Sequence, residues 1–250
     1  MLSADLSGTA ALITGAGRGL GRGLGQALAR QGARVACLDL DGKAAGETAA
    51  LIREAGGQGW SAELDVTDER RVPVAVRDAA SLMGGLDLAV CNAGVLSVAP
   101  VVELAPAEWR RVLDVNATGT FLVAQAAART MLAAGTKGSI VTVASIAGKR
   151  ADAGCAHYAA SKFAVIGLTQ ALAMELAAYG ITANAVCPGV VRTELMTAFA
   201  GQAGVDHFVQ LQLVKRPQEP DEIAGAIAFL HSCRSVTGQA INVDGGTVFH

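Results

Sequence analysis

Tyr158 and Lys162 stand four residues apart in Tyr158-Ala159-Ala160-Ser161-Lys162, at the head of a long apolar run. In a helix this spacing places both side chains on one face, one turn apart. A phenol titrates near ~10 in isolation, and a fixed ammonium beside it favours the phenolate. Such a pair is a proton acceptor and donor for chemistry near neutral pH. The spacing also arises often by chance, so the pair gains meaning from its neighbours. Ser145 ends the apolar run Ile140-Val141-Thr142-Val143-Ala144, where its hydroxyl is placed to hold a reacting oxygen at the carboxyl end of a strand. Asn116 is a polar residue in an otherwise helical stretch over residues 112–125, and is expected to interrupt hydrogen bonding there and hold a relay water near Lys162. His157 precedes Tyr158 but points about 100° away around a helix, so a structural or pocket-rim role is expected.

A second constellation lies near the start of the chain. Thr14-Gly15-Ala16-Gly17-Arg18-Gly19-Leu20-Gly21 follows a strand-like run and opens a helical one. Unpaired backbone N–H groups at such a turn can cradle a pyrophosphate, and Gly15, Gly19 and Gly21 let it approach. Glycines also serve tight turns for steric reasons alone, but Asp39, at the end of the second strand, adds a carboxylate for the adenosine ribose hydroxyls. That carboxylate repels the extra phosphate of NADP, so NAD is the expected coenzyme. Asp41 competes with Asp39 for the cap of the next helix. Arg18, in the glycine loop, is the one cation that favours a ribose phosphate; with Leu20 it is expected at the coenzyme. Asp65 and Val66 after the third strand, and Asn92, Ala93 and Gly94 after the fourth, complete the expected adenosine side, since ligands collect outside the carboxyl ends of strands in open α/β sheets.

Elements that hold these residues follow from the hydrophobic period. Strands are predicted over residues 9–14, 35–39, 59–64, 86–91, 139–144, 182–187 and 240–243, alternating with helices over residues 20–28, 43–54, 68–83, 106–132, 156–178 and 221–230. Nearly continuous apolar strands separated by helices predict an α/β fold: a doubly wound, Rossmann-like parallel sheet of about seven strands with helices on both faces. At 250 residues one domain spanning 1–250 is expected. Pro73 inside the third helix predicts a shifted start or a kink. Residues 192–218 lack a clear period and are expected to form a substrate-binding lid.

Composition removes several classes of partner. Hydrophobic residues are 52% of the chain and charged residues 17%, which excludes disorder and suggests surface buried between subunits. Twenty basic and 22 acidic side chains leave a formal charge of -2, so neither nucleic acid nor an anionic membrane is an expected partner. Cys37, Cys91, Cys155, Cys187 and Cys233 are scattered without Cys-x-x-Cys pairing, so no metal site or disulfide framework is expected. The lone His250 is expected to fray with its terminus. No stretch reaches the roughly 20 apolar residues of a membrane span, and a cytoplasmic location is the simplest expectation.

Taken in order and spacing, the motifs resemble those of the short-chain dehydrogenase/reductase family along nearly the whole chain. They are Thr14-Gly15-x-x-x-Gly19-x-Gly21, Asn92-Ala93-Gly94, Asn116, Ser145, Tyr158-x-x-x-Lys162, Pro188-Gly189 with Thr193, and Val243-Asp244-Gly245-Gly246. The resemblance implies a catalytic tetrad of Asn116, Ser145, Tyr158 and Lys162. It further implies that Lys162 holds the nicotinamide ribose, that Val191 and Thr193 meet the carboxamide with Pro188 and Gly189 also at the coenzyme, and that the assembly is commonly a homotetramer. Cys91 departs from the asparagine that many relatives carry before Asn92-Ala93-Gly94. With an oxidised nicotinamide beside Lys162, the phenol is expected to fall toward neutrality, about 4 kcal/mol of differential stabilisation. The expected activity is NAD-dependent interconversion of a secondary alcohol and its ketone, the substrate being a small alcohol, polyol, sugar or cyclic alcohol. An apolar pocket from residues 95–98, Ala147, Cys155, Leu195 and Met196 suits such substrates. The alternatives are an NADPH-dependent 3-oxoacyl carrier-protein reductase, against which Asp39 argues, and a non-catalytic redox sensor, which is expected to lack Tyr158 or Lys162.

Overall fold

The computed structural model describes residues 5–249, without the side chains of residues 194–200 and 202. Seven strands form one sheet among the described residues: β1 (Ala10–Thr14), β2 (Arg34–Asp39), β3 (Gln58–Glu63), β4 (Leu88–Cys91), β5 (Ser139–Val143), β6 (Thr182–Pro188) and β7 (Ala240–Val243). Their order is β3-β2-β1-β4-β5-β6-β7 and every pairing is parallel. The chain builds outward from β1 to β3, then crosses back to set β4 on the other side of β1. That reversal opens a crevice at the carboxyl ends of β1 and β4, the place where open α/β sheets bind ligands.

Alternation along the strands feeds two cores. Ala10 and Leu12 of β1 pack on one face with Ala89 of β4, under α3 (Arg71–Met83), α5 (Gly119–Ala134) and α6 (Ala156–Leu176). Ala11 and Ile13 pack on the other face with Leu88 and Val90, under α1 (Gly19–Arg30) and α8 (Pro220–Ser232). Successive side chains of a strand point to opposite faces, and both faces here are covered, so the strands read as unbroken apolar runs. Among the described residues no helix is long and apolar enough to cross a membrane.

Three segments differ from the simplest periodic reading, each for a local reason. α3 starts at Arg71, which makes Pro73 its third residue; the ring's missing N–H then falls among donors that have no partner within a helix. The helix expected over residues 106–132 is two, α4 (Pro106–Leu113) and α5, joined by a π-helical turn over Asp114–Thr118 in which the Gly119 N–H reaches back to the Asp114 carbonyl. Residues 194–210 are helical as α7 (Glu194–Gln210), broken at Gly201, whose φ of 61° and ψ of 172° no helix contains. α2 (Gly42–Glu54) completes the set.

Candidate active site

The glycine turn is locked to the end of β4. The Asn92 side-chain amide donates to the Thr14 carbonyl at 2.9 Å and the Gly15 carbonyl at 3.2 Å, while the Thr14 hydroxyl accepts the Asn92 and Ala93 N–H groups. A Cβ on Gly15 would lie 2.8 Å from the Ala93 Cα, and one on Gly21 only 2.0 Å from the Gly15 carbonyl oxygen. Only hydrogen fits at Gly21. Across the crevice Thr193 approaches Gly19, whose φ of 52° suits glycine; a Cβ there would stand 3.6 Å from the Thr193 Cβ. This cradle of bare backbone between two strand ends fits a dinucleotide pyrophosphate.

Asp39, at the tip of β2, turns its carboxylate to the same place. Its Oδ2 accepts the Gly17 N–H at 2.8 Å and its Oδ1 the Asp41 N–H at 3.0 Å. The cap of α2 belongs to Asp41, which accepts the Ala44 N–H at 3.0 Å. Arg18 is exposed and Leu20 half-buried on the core. Asp65 lies at the end of β3 and is occupied locally, accepting both the N–H and the hydroxyl of Thr67. Val66 packs against Gly119. Gly94 lies beside the Asn116 carboxamide and the Lys162 ammonium. On the far side Pro188 ends β6, Gly189 presses on Asp244, and Val191 forms a parallel bridge with Gln218. All of these stand at one edge of the sheet.

Tyr158, Lys162, Ser145 and Asn116 meet at that edge. Lys162 is 4% exposed; its Nζ donates to the Val143 carbonyl at 2.8 Å and lies 5.6 Å from the centre of the Tyr158 ring. Burial pushes the phenol up to about 12, with a hydrogen bond to Ser145 pulling the other way. Burial also lowers the Lys162 ammonium to about 8, with Cys187 opposing. The chain by itself thus sets a raised phenol beside a lowered ammonium, opposite in direction to the depressed phenol expected with oxidised nicotinamide beside it. The Ser145 Oγ accepts the Ala147 N–H at 3.1 Å, which fixes it at the mouth of β5. Asn116, wholly buried in the π turn, grips Val95 twice: Oδ1 accepts its N–H at 2.8 Å and Nδ2 donates to its carbonyl at 2.9 Å. Nδ2 also donates to the Ser161 hydroxyl, which in turn donates to the Tyr158 carbonyl. The backbone carbonyl of Asn116 accepts the Thr120 hydroxyl.

Ser161 lies inside the Tyr-x-x-x-Lys pattern without being marked by it; its only signal in the sequence is a serine on a helix face turned toward a polar neighbour. Ala147 and Cys155, expected in the substrate pocket, are both almost fully buried, and Val98 touches Gly154. The side chains of Leu195 and Met196, and all of His250, lie outside the described residues. A cavity of about 380 Å³ lies beneath α7, bounded by Val191, Thr193, Val205, Val209 and Pro217. Two of its walls, Val191 and Thr193, also stand at the carboxyl edge of the sheet.

A family model described as Enoyl-(Acyl carrier protein) reductase, of the short-chain alcohol dehydrogenase type, matches residues 15–248. The sorbitol dehydrogenase of Cereibacter sphaeroides is 37% identical, over 96% of this chain and 98% of its own. The crystal structure of a short-chain type dehydrogenase/reductase from Mycobacterium marinum superposes with a TM-score of 0.92 at 37% identity, covering 99% of this chain and 98% of the other. The chain belongs to the short-chain dehydrogenase/reductase family. A further relative, from Agrobacterium tumefaciens and solved with bound NADP, is 34% identical with a TM-score of 0.88, each chain being covered to 99%. The short-chain dehydrogenase/reductase fold therefore accounts for the parallel sheet, and the family identifies the chain as an oxidoreductase that uses a nicotinamide coenzyme on small molecules.

Proposed function

We propose that this short-chain dehydrogenase/reductase interconverts a secondary alcohol and its ketone with NAD, acting on a small alcohol, polyol, sugar or cyclic alcohol. The observation that carries the reading is the meeting of Tyr158, Ser145 and Lys162 at the sheet edge that also holds the glycine turn and Asp39. Ser145 orients the substrate oxygen, Tyr158 takes its proton during oxidation and returns it during reduction, and Lys162 holds the ribose and lowers the phenol. The bound coenzyme supplies the hydride acceptor or donor and, when oxidised, a positive charge beside the phenol. Asn116 keeps Val95 and α6 in register and its turn supplies the relay. Gly15, Gly19, Leu20, Asn92, Ala93 and Gly94 shape the cradle; Asp65 and Val66 stand at the adenine edge and Pro188, Gly189, Val191 and Thr193 at the carboxamide, with residues 192–218 closing over the substrate. Asp39 supports NAD, since a carboxylate at that position accepts ribose hydroxyls and repels a phosphate. We further propose a homotetramer.

Tyr158→Phe is expected to reduce turnover at least a thousandfold while leaving NAD binding, read by NADH fluorescence, within about threefold. A variant that keeps near-normal rate overturns the assignment. In the same assays Asp39→Asn is expected to narrow the preference for NAD over NADP about tenfold or more; unchanged discrimination refutes the coenzyme reading. A second reading, reduction of a carrier-bound 3-oxoacyl group with NADPH, shares with the description of the matching family model the carrier-bound acyl substrate, but not the bond reduced, which for an enoyl group is a C=C bond. Faster turnover of an acyl thioester with NADPH than of any free alcohol with NAD decides for it.

A further inference from the structure

His157 is wholly buried on α6, one residue before Tyr158, and has no part in the proton chemistry proposed above. Its Nε2 lies 2.7 Å from the Ser97 Oγ. Ser97 in turn donates to the Glu108 carboxylate on α4, and Glu108 is gripped by Arg111 through two bonds of 2.7 and 2.8 Å. The chain of bonds thus runs from α6, through a loop, to α4.

Proton counting gives that chain a direction. Arg111 first, and Ser97 second, hold the Glu108 carboxyl down at about 2, so it is ionised and accepts only. The single hydroxyl proton of Ser97 is therefore committed to Glu108. Ser97 has only lone pairs left for the imidazole, so the His157 Nε2 is the protonated partner and donates to it. The other ring nitrogen, Nδ1, is buried and without a hydrogen-bond partner among the described residues.

The loop in the middle, residues 92–100, has no secondary structure of its own, so its placement depends on side-chain and single backbone bonds. Val95 is held by Asn116, Ala99 donates to the Gly154 carbonyl at 3.0 Å, and Ser97 is the anchor between them. Val98 also rests against Gly154. In the alcohol-dehydrogenase reading, residues 95–98 are the wall expected to face the substrate.

We propose that His157, Ser97 and Glu108 form a directional strut that fixes the distance between the substrate wall at residues 95–98 and the base on the next residue, Tyr158, making all three positioning residues for substrate recognition. The inference rests on the alcohol-dehydrogenase reading of the site. His157 is joined to Tyr158 by one peptide bond, so the wall is referenced to the base itself and not to a remote part of the fold. Without the Ser97 bonds the wall keeps its two end anchors and the chain folds, but the middle of the wall moves.

The test uses Ser97→Ala, His157→Phe, His157→Gln and the double variant Ser97→Ala/His157→Phe, assayed with 2,3-butanediol, sorbitol and cyclohexanol, with coenzyme binding and amide hydrogen exchange over residues 95–99. Ser97→Ala and His157→Phe are expected to raise KM about fivefold, the worth of one ordinary hydrogen bond, with kcat within about twofold and the pH profile of kcat unmoved. The double variant matches the worse single one. His157→Gln, which carries an N–H at the reach of Nε2, recovers most of the loss. Amide exchange over 95–99 quickens in Ser97→Ala with coenzyme affinity unchanged. A fall in kcat with a shifted pH profile, or KM and exchange both at wild-type values, overturns the strut. Wild-type protein inactive on all three alcohols refutes the alcohol reading instead, and the exchange comparison still decides whether the strut holds the wall. Should His157→Phe fail to fold, Ser97→Ala, on a half-buried loop position, carries the decision alone.

Discussion

At the scale of single residues, the phenol and the ammonium lean in opposite directions. Burial pushes the phenol up to about 12 from an ordinary 10.0 and lowers the ammonium to about 8 from 10.5. Linkage then sets two opposing windows. The folded chain holds fewer protons at Lys162 between about 8 and 10.5, so that group makes stability rise with pH there. The folded chain holds more protons at Tyr158 between 10.0 and about 12, so that group makes stability fall as pH climbs through that range. The chain has two tyrosines, Tyr158 and Tyr179, and Tyr179→Phe leaves Tyr158 as the single reporter. Phenolate absorbance of that variant is expected to stay absent up to about pH 11 without coenzyme and to appear at least a pH unit lower with saturating NAD. An unmoved titration shows that the coenzyme charge does not reach the phenol. Tyr158, Lys162, Ser145 and Asn116 were readable because their partners follow a fixed spacing. The contact of His157 with Ser97 joins residues 60 apart in the chain, and no local pattern encodes it.

Among the elements, the strand-turn-helix unit of β1 and α1 carries the tightest constraint. A Cβ at Gly21 meets the Gly15 carbonyl at 2.0 Å and the Asn92 amide at 2.7 Å, both parts of the lock between the glycine turn and β4. Gly21→Ala is expected to destabilise the fold by about 1–3 kcal/mol, lower the thermal midpoint and weaken NAD binding more than tenfold. Gly46→Ala, inside α2 with its nearest neighbour at 3.8 Å, is the contrast: an alanine there is expected to add roughly 0.5–1 kcal/mol and leave binding untouched. Equal effects from the two refute the packing argument. The glycine motif announces its own tightness in the sequence, as does the alternation that builds the sheet. Less was visible where a side chain and a backbone compete. Asn116 signalled an interruption of its helix but not its form, a π turn, because the extra residue per turn is set by the grip of its carboxamide on Val95. Likewise α3 begins where Asp68 caps the Arg70 and Arg71 N–H groups, three residues past the start that periodicity alone suggests.

For the molecule as a whole, apolar surface remains where a lone subunit gains nothing from it. Trp109 on α4, Phe121 on α5, and Phe163 and Met174 on α6 are exposed, Met174 by 84%. Large side chains left bare on three helices of one sheet face support the proposed tetramer, since soluble monomers seldom show broad apolar patches. Sedimentation is expected to give a tetramer for the wild type and smaller species for Phe121→Glu with Phe163→Glu; a monomeric wild type sinks the proposal. Composition alone pointed to buried subunit surface but not to which helices offer it, because that depends on which faces the sheet has already used. Strand order also dictates how the chain meets itself as it is made. β1, β2 and β3 are laid down side by side, the chain turns back once to seat β4, and β5, β6 and β7 each join the strand made just before. No finished edge has to be reopened for a latecomer. β6 is buried along its whole length in the finished fold, yet until β7 emerges it is a raw edge with unpaired backbone groups. A nascent chain stalled short of Ala240 is therefore adhesive, and the arrival of β7 is what seals it.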